Sequence, residues 1–461
     1  MKPAWISIFA ALLAIFVIAA APDRKPKGQE GKGQGAGPGG QVEPAVVPSY
    51  LFNLWLCRPG AESVTVSVLA WEDLEAFIEY GDPPQRTEGM KLKAGEPQNL
   101  VLGGLQPDTG YTYRMTYRRP GGEPVQDAPR RFHTQRAPDS TFTFVTQADS
   151  HLDASTDVRV YQQTLANMLA DQPDFMIDLG DTTMVDKFGT FYTRSESQYK
   201  AQRYYLGRIA HSVPMFMTLG NHDGERGDRP EMAEWSMNMR KRYFPNPTDG
   251  NDQNSHFAFE WGTALFVVLD PFWPTTQRKG NDPWGMTLGE AQYRWLTQTL
   301  RNSSAPFKFV FIHHLVGGLG KDVRGGVATA PYMEWGGKNA DGSDGFKEHR
   351  PGWEMPIHPL LVQHGVSIVF HGHDHLFAKE ELDGIIYQEV PQPGHPSGGT
   401  RSAEEYGYTG TILGSSGHLR VTVGPQEAKV DYVRSIVPGV TRDSLANGTV
   451  EHSYRVQSSA R

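Results

Sequence analysis

The rhythm of hydrophobic and polar positions changes along the chain. From Ser63 to Trp71, "SVTVSVLAW", apolar and polar residues alternate, and the alternation returns from Tyr111 to Tyr117 before breaking at Pro120-Gly121-Gly122. A period of two without helical spacing predicts strands and turns, and residues 45–137 fit one all-β sandwich. After Pro138 continuous apolar runs, "TFTFVTQADSH", "DFMIDLGD", "VPMFMTLGNHD", "FKFVFIHH" and "VSIVFHGHDH", are interleaved with helical spacing such as Val158, Leu165, Met168 and Leu169. "HFAFEWGTALFVVLD" reads as a hairpin and "LGEAQYRWLTQTLRN" as an amphipathic helix. Strand and helix in series predict an α/β (α+β) domain over residues 138–437, its sheets flanked by helices. The segment Gly317–Glu354 has no sustained period, and Tyr332, Trp335 and Trp353 within it predict an ordered loop. Residues 438–461 read as a weakly structured tail.

The first residues follow neither pattern. Lys2 is followed by an uncharged stretch from Pro3 to Pro22 that ends in Ala19-Ala20-Ala21, so residues 1–21 read as an export signal or, uncleaved, as an anchor over residues 4–21. Residues 22–44, dominated by Gly, Pro, Gln and Lys, predict a flexible linker. The folded part is then expected outside the cytoplasm: periplasmic, secreted or on the cell surface. Membrane contact is expected only through an uncleaved anchor. A net charge of −8 over 461 residues gives no basic excess for nucleic acid, and no nucleic-acid-binding domain or protein partner is predicted. The single cysteine, Cys57, allows no internal disulfide and reads as a small buried apolar residue.

Chemistry-bearing residues gather at the ends of the apolar runs. Phe142–Val145 leads to Asp149 and His151, Phe175–Leu179 to Gly180 and Asp181, and Met215–Leu219 to Gly220, Asn221, His222 and Asp223. Phe309–Ile312 leads to His313 and His314, and Ser367–Phe370 to His371, His373, Asp374 and His375. Sites in open α/β sheets form beyond the carboxyl ends of strands, so these five groups can share one crevice. Burying so many imidazoles and carboxylates calls for a compensating cation. Ligands drawn from His, Asp and Asn without thiolate suit Zn, Mn or Fe, and they are too many for one ion. Two ions need a shared carboxylate, for which Asp181 at its Gly-Asp turn is the natural bridge. Such a pair can hold a hydroxide between them and clamp an in-line displacement at phosphorus.

Asp-x-His, Gly-Asp, Gly-Asn-His-Asp, His-His and Gly-His-x-His, in that order from about Thr141 to Phe377, resemble the calcineurin-like metallophosphoesterase superfamily. The resemblance implies a four-layer fold with two mixed sheets. It implies one metal held by Asp149, His151, Asp181 and His375, and another by Asp181, Asn221, His313 and His373. His222 would contact the phosphate and protonate the leaving oxygen, with Asp223 orienting it. The family uses the first of a His-His pair, which implies His313 as ligand and His314 as a substrate contact. Lys321, Arg324, Lys338, Lys347 and Arg350 lie in the long loop, and Arg324 is taken as the candidate substrate clamp.

Leu105–Tyr113 resembles the tyrosine corner of fibronectin type III domains, with Tyr111 or Tyr113 as its tyrosine. A fibronectin-like domain ahead of this catalytic domain is similar to purple acid phosphatases, whose iron-binding tyrosine is here replaced by Met184. That departure implies two divalent ions, or an iron paired with a divalent ion. The expected function is an exported phosphoesterase acting on small phosphate monoesters or diesters. The alternative is a non-catalytic surface binding protein with a vestigial phosphoesterase domain.

Overall fold

Alternating phenylalanines set the architecture. In the computed structural model, which describes residues 50–248, 252–276, 282–316 and 323–458, strands Phe142–Gln147, Phe175–Asp178 and Met215–Met217 run parallel. They turn Phe142, Phe144, Phe175 and Phe216 to one face. A second sheet offers Phe257, Phe266, Phe309, Phe311 and Phe370 in return. Phe144 stacks on Phe175 at 5.5 Å between ring centroids and meets Phe266 edge-on at 5.2 Å, the spacings aromatic pairs prefer.

The first sheet has nine strands and the second seven. In the second, Ala264–Val268, Phe307–Phe311, Ile368–His371 and Ile385–Glu389 are parallel neighbours. Residues one step out of phase face outward onto helices. Val145, Met176 and Met215 pack with Leu165, Met168, Leu206 and Ile209 of helices Val158–Ala170 and Glu196–Ala210. Val267, Val310 and Val369 pack with Leu296, Leu300 and Leu360 of helices Gly289–Asn302 and Ile357–Gln363. The result is the expected four layers, helix–sheet–sheet–helix.

Residues 52–133 form strands of two sheets around Leu54, Leu56, Val66, Val68, Ile78, Tyr113 and Met115. They are not a separate bead. Strands Phe52–Cys57, Val64–Ala70 and Gln98–Leu102 extend the nine-stranded sheet, through a parallel pairing of Cys57 with Met215. The physical reason is burial on both faces: Leu54 and Leu56 point into the sandwich, Trp55 and Cys57 into the helix-covered core. Arg203 crosses this seam fully buried, its guanidinium donating to Asn53 Oδ1, Ser67 Oγ and the carbonyls of Ser67 and Tyr243. Tyr113 donates from its hydroxyl to the His211 carbonyl at 2.6 Å. Tyr111 is the residue that closes the corner, its hydroxyl accepting from the Gln106 amide at 2.7 Å.

One expectation changes. The segment read as a tail contributes strand Val450–Gln457, which pairs antiparallel with Glu427–Arg434 at the sheet edge, Tyr454 and Val456 packing on the core. In the long loop, Trp335 and Trp353 are buried, which gives the ordered loop that these residues predict. Trp335 donates its Nε1–H to Tyr387 at 2.8 Å, and Trp353 stacks on Tyr293 at 3.9 Å. The expected signal or anchor (1–21), the linker (22–44) and Lys321 lie outside the described residues. Among those described, no helix is long and apolar enough to cross a membrane.

Candidate metal centre

The loops that follow the strands are held open by unusual backbone. Asp149, His151, Asp181, His373 and His375 all have positive φ, between 53° and 83°. Residues with a Cβ rarely adopt this region, and each instance costs about 1–3 kcal/mol. Left-handed residues turn the chain sharply at the strand ends, so that Asp149 and His151, and likewise His373 and His375, aim into one space. Glycines let the loops touch. A Cβ on Gly220 would overlap the Asp181 backbone amide, and one on Gly372 would come within 2.6 Å of Ala148 and 2.9 Å of Asp149 Oδ2.

Two groups of three result: Asp149, His151 and His375, and Asp181, His313 and His373. Asp149 Oδ1 lies 3.6 Å from His151 Nε2 and 3.4 Å from His375 Nε2. Asp181 Oδ2 lies 3.3 Å from His313 Nε2 and 3.6 Å from His151 Nε2, so it faces both groups. Asn221 Oδ1 is 3.3 Å from His313 Nε2. Bonds of 2.0–2.2 Å to a tetrahedral ion separate neighbouring ligands by about 3.3–3.6 Å, so the spacing fits a metal better than direct hydrogen bonds. Asp149 Oδ1 and His151 Nε2 are also buried with no hydrogen-bond partner, atoms that a cation would satisfy.

Electrostatics agree. Burial alone would raise the carboxyls of Asp149 and Asp181, but the surrounding imidazoles hold both well below the usual carboxylate range. Burial works against a charged His313, yet Asp181 and Asp149 push it up to about 9, a measure of how strongly the two aspartates draw positive charge. His373 goes the other way: burial, then the charges of Arg324, His313 and His314, keep it well below its ordinary value, the neutral form a ligand requires.

His222 stands at the mouth, with a fifth of its side chain exposed. Its amide donates to Asp181 Oδ1 at 2.7 Å and its Nε2 lies 3.9 Å from Asp181 Oδ2. Asp223 does not orient its ring, contrary to expectation. The Asp223 carboxylate is used up by the amides of Gly220 (2.7 Å), Asp181 (3.0 Å) and Thr183 (2.7 Å), pinning the two ligand loops together. Burial and the Asp181 charge push it up to about 7. The partner of His222 Nδ1 is Asp186, at 2.9 Å, which sequence reading missed. The remaining substrate candidates are placed as follows. His314 is buried against Phe272, with its ring 5.2 Å from that of His373. The guanidinium of Arg324 donates to the His373 carbonyl at 2.6 Å and to Asp374 at 2.8 Å. His371, off to the side, binds Glu389 at 2.7 Å. Asp270 organises a turn, accepting from Phe272 N at 2.7 Å and from Ser255 Oγ.

Residues 142–377 match the family model for the calcineurin-like phosphoesterases, more than half of the chain. The chain belongs to the calcineurin-like phosphoesterase family. Within it, the chain is 24% identical over 328 residues to purple acid phosphatase 18 of Arabidopsis thaliana; the alignment covers 66% of this chain and 60% of that protein. The phosphoesterase fold is also that of two solved structures, each 16% identical to it. PhoD superposes with a TM-score of 0.64 over 88% of this chain and 90% of its own. The purple acid phosphatase PPD1 of yellow lupin, Lupinus luteus, superposes with 0.59 over 88% and 74%.

Proposed function

We propose that the protein hydrolyses phosphate monoesters or diesters at a dinuclear metal centre. One observation carries this reading: Asp181 Oδ2 lies within 4 Å of Nε2 of His151, His222 and His313, between two ready-made ligand groups. In it, Asp149, His151, Asp181 and His375 hold one ion, and Asp181, Asn221, His313 and His373 the other. Such ions, when bound, polarise the phosphoryl oxygens and supply a nucleophile at neutral pH. The chain's own residues do the rest. Asp181 is steered by the His222 amide on Oδ1, leaving Oδ2 toward both groups. His222 keeps Nδ1 on Asp186 and turns Nε2 toward the site, where it donates a proton to the leaving oxygen. Arg324 fixes the His373 loop through Asp374 rather than clamping substrate. His314 borders the second ligand group.

The ligand set suits Fe, Mn or Zn. Met184 is buried where a purple enzyme places its tyrosine, so no phenolate is available there for a coloured ferric centre. The Tyr111 corner supports a fibronectin-like reading of the sandwich, and the sequence of residues 1–21 supports export; fractionation of cells expressing the full chain tests the latter, and cytoplasmic recovery would refute it. For the central reading, purified protein is assayed with nitrophenyl phosphate and bis-nitrophenyl phosphate, before and after chelation. Turnover that is lost on chelation and restored by metal is expected. Turnover that survives complete metal removal would refute it.

A further inference from the structure

A polar cavity opens at the same edge of the nine-stranded sheet as the candidate metal loops. It holds about 340 Å³ and is lined by residues that include Ser397, Ser415, Ser416, Arg434 and Arg442. Strand register places it. Thr146 pairs with Leu419, and Gly417 with Arg434. Arg434 therefore lies level with the turn that follows Gln147, where Asp149 and His151 stand. The Ser415 hydroxyl, in the lining, donates to the His375 carbonyl at 2.7 Å, so the cavity is tied to the loop of a candidate metal-group histidine.

The lining is polar and carries two guanidinium groups, Arg434 and Arg442, and one carboxylate, Asp443. Arg434 is already neutralised by Asp443 at 2.9 Å and by Glu451. Among the described residues Arg442 has no ion-pair partner, so it is the unspent charge of the cavity. His395 lies beside the lining residue Ser397 and close enough to His375 and Arg442 for both to act on it electrostatically. Its Nδ1 accepts the Ser397 amide proton at 3.1 Å, which leaves its own proton on Nε2 as a donor. Burial is the largest cause that holds its pKa below the ordinary imidazole value.

We propose that this cavity is the subsite for the alcohol portion of the substrate, and that this portion carries a second anionic group, a carboxylate or a phosphate, received by Arg442 and His395. The proposal rests on the phosphoesterase reading and names its substrate class: small doubly anionic phosphoesters. An apolar aryl or long alkyl alcohol would leave the guanidinium and hydroxyls unpaired and is disfavoured.

The test compares two esters on the same three-carbon frame, 3-phosphoglycerate and glycerol 1-phosphate, using metal-loaded full-length protein. Native protein is expected to favour 3-phosphoglycerate by about tenfold in kcat/KM, the worth of one charge-assisted contact. Arg442→Gln should collapse that ratio toward one, through KM for the carboxylate, and Arg442→Lys should restore part of it. Arg442 is exposed, so its replacement does not threaten the fold. A native ratio near one, or a ratio that Arg442→Gln leaves unchanged while both esters are hydrolysed, overturns the subsite. If neither these esters nor nitrophenyl phosphate is hydrolysed, the phosphoesterase reading itself fails and the subsite falls with it.

Discussion

Replacing Asp186 by Asn isolates the part of the proposed mechanism that belongs to the protein rather than to the metals. The 2.9 Å contact between Asp186 Oδ1 and His222 Nδ1 becomes a hydrogen bond to a neutral amide. Bonds to a charged partner are worth about 1.5–3 kcal/mol and neutral ones about 1 kcal/mol. Roughly a fifth of each side chain is exposed, so solvent trims the difference, and we expect a loss of about 1–2 kcal/mol. That corresponds to a decrease of about 5–30-fold in the step that needs the His222 proton. The size of the loss should depend on the leaving group. An alkoxide must be protonated as it departs, whereas nitrophenolate leaves with little help. The assay is therefore kcat for Asp186→Asn on an alkyl phosphate and on nitrophenyl phosphate, with metal content measured on the same samples. A loss concentrated on the alkyl ester at unchanged metal content is expected. Equal losses on both esters would refute the proton-donor role of His222, and no loss on either would remove Asp186 from the mechanism.

Gly220→Ala should push the Asp181 turn away, with an overpacking cost of about 1–3 kcal/mol and a drop in metal affinity; calorimetry and elemental analysis read the two effects. Arg203→Met should destabilise by about 2–4 kcal/mol, because Asn53, Ser67 and Tyr243 lose a buried donor, and urea unfolding should stay one transition since sandwich and catalytic sheet share a core. Two separate transitions would contradict that continuity. Burial pushes the Asp270 carboxyl up to about 6 from an ordinary 3.8. Its stabilising effect is thus present below pH 4 and lost as pH rises through 6, a change of up to about 3 kcal/mol. Relative to native protein, Asp270→Asn should gain stability between pH 4 and pH 7 in chelated samples; a pH-independent difference would refute the assignment.

Much of the site was legible because its candidate ligands sit within a few residues of strand ends, where a linear pattern encodes a spatial one. Asp149, His151, Asp181, Asn221, His313, His373 and His375 are gathered as that pattern implied. Asp186 was not legible. It reaches His222 across 36 residues, from the 3-10 helical stretch Val185–Ser195, whose course no local periodicity specifies. Asp223, adjacent to His222 in sequence, suggested itself by proximity, but the neighbouring amides claim its oxygens first. The fusion of sandwich and catalytic sheet was hidden for a related reason. Phe52–Cys57 reads like any buried strand, and only its long-range partner at Met215 reveals the join. In the last strand, Val450, His452, Tyr454 and Val456 do alternate, but the outward residues between them are polar and the preceding loop is rich in turn formers, which masked a half-exposed edge strand.

The most direct test of the central claim is the metal content of the purified full-length protein, measured by elemental analysis beside the Asp181→Ala variant. The account predicts two first-row transition-metal ions per chain in the native protein, and a sharp fall when the shared carboxylate is removed. A native protein that binds no such ions, or an Asp181→Ala variant that retains both, would contradict it.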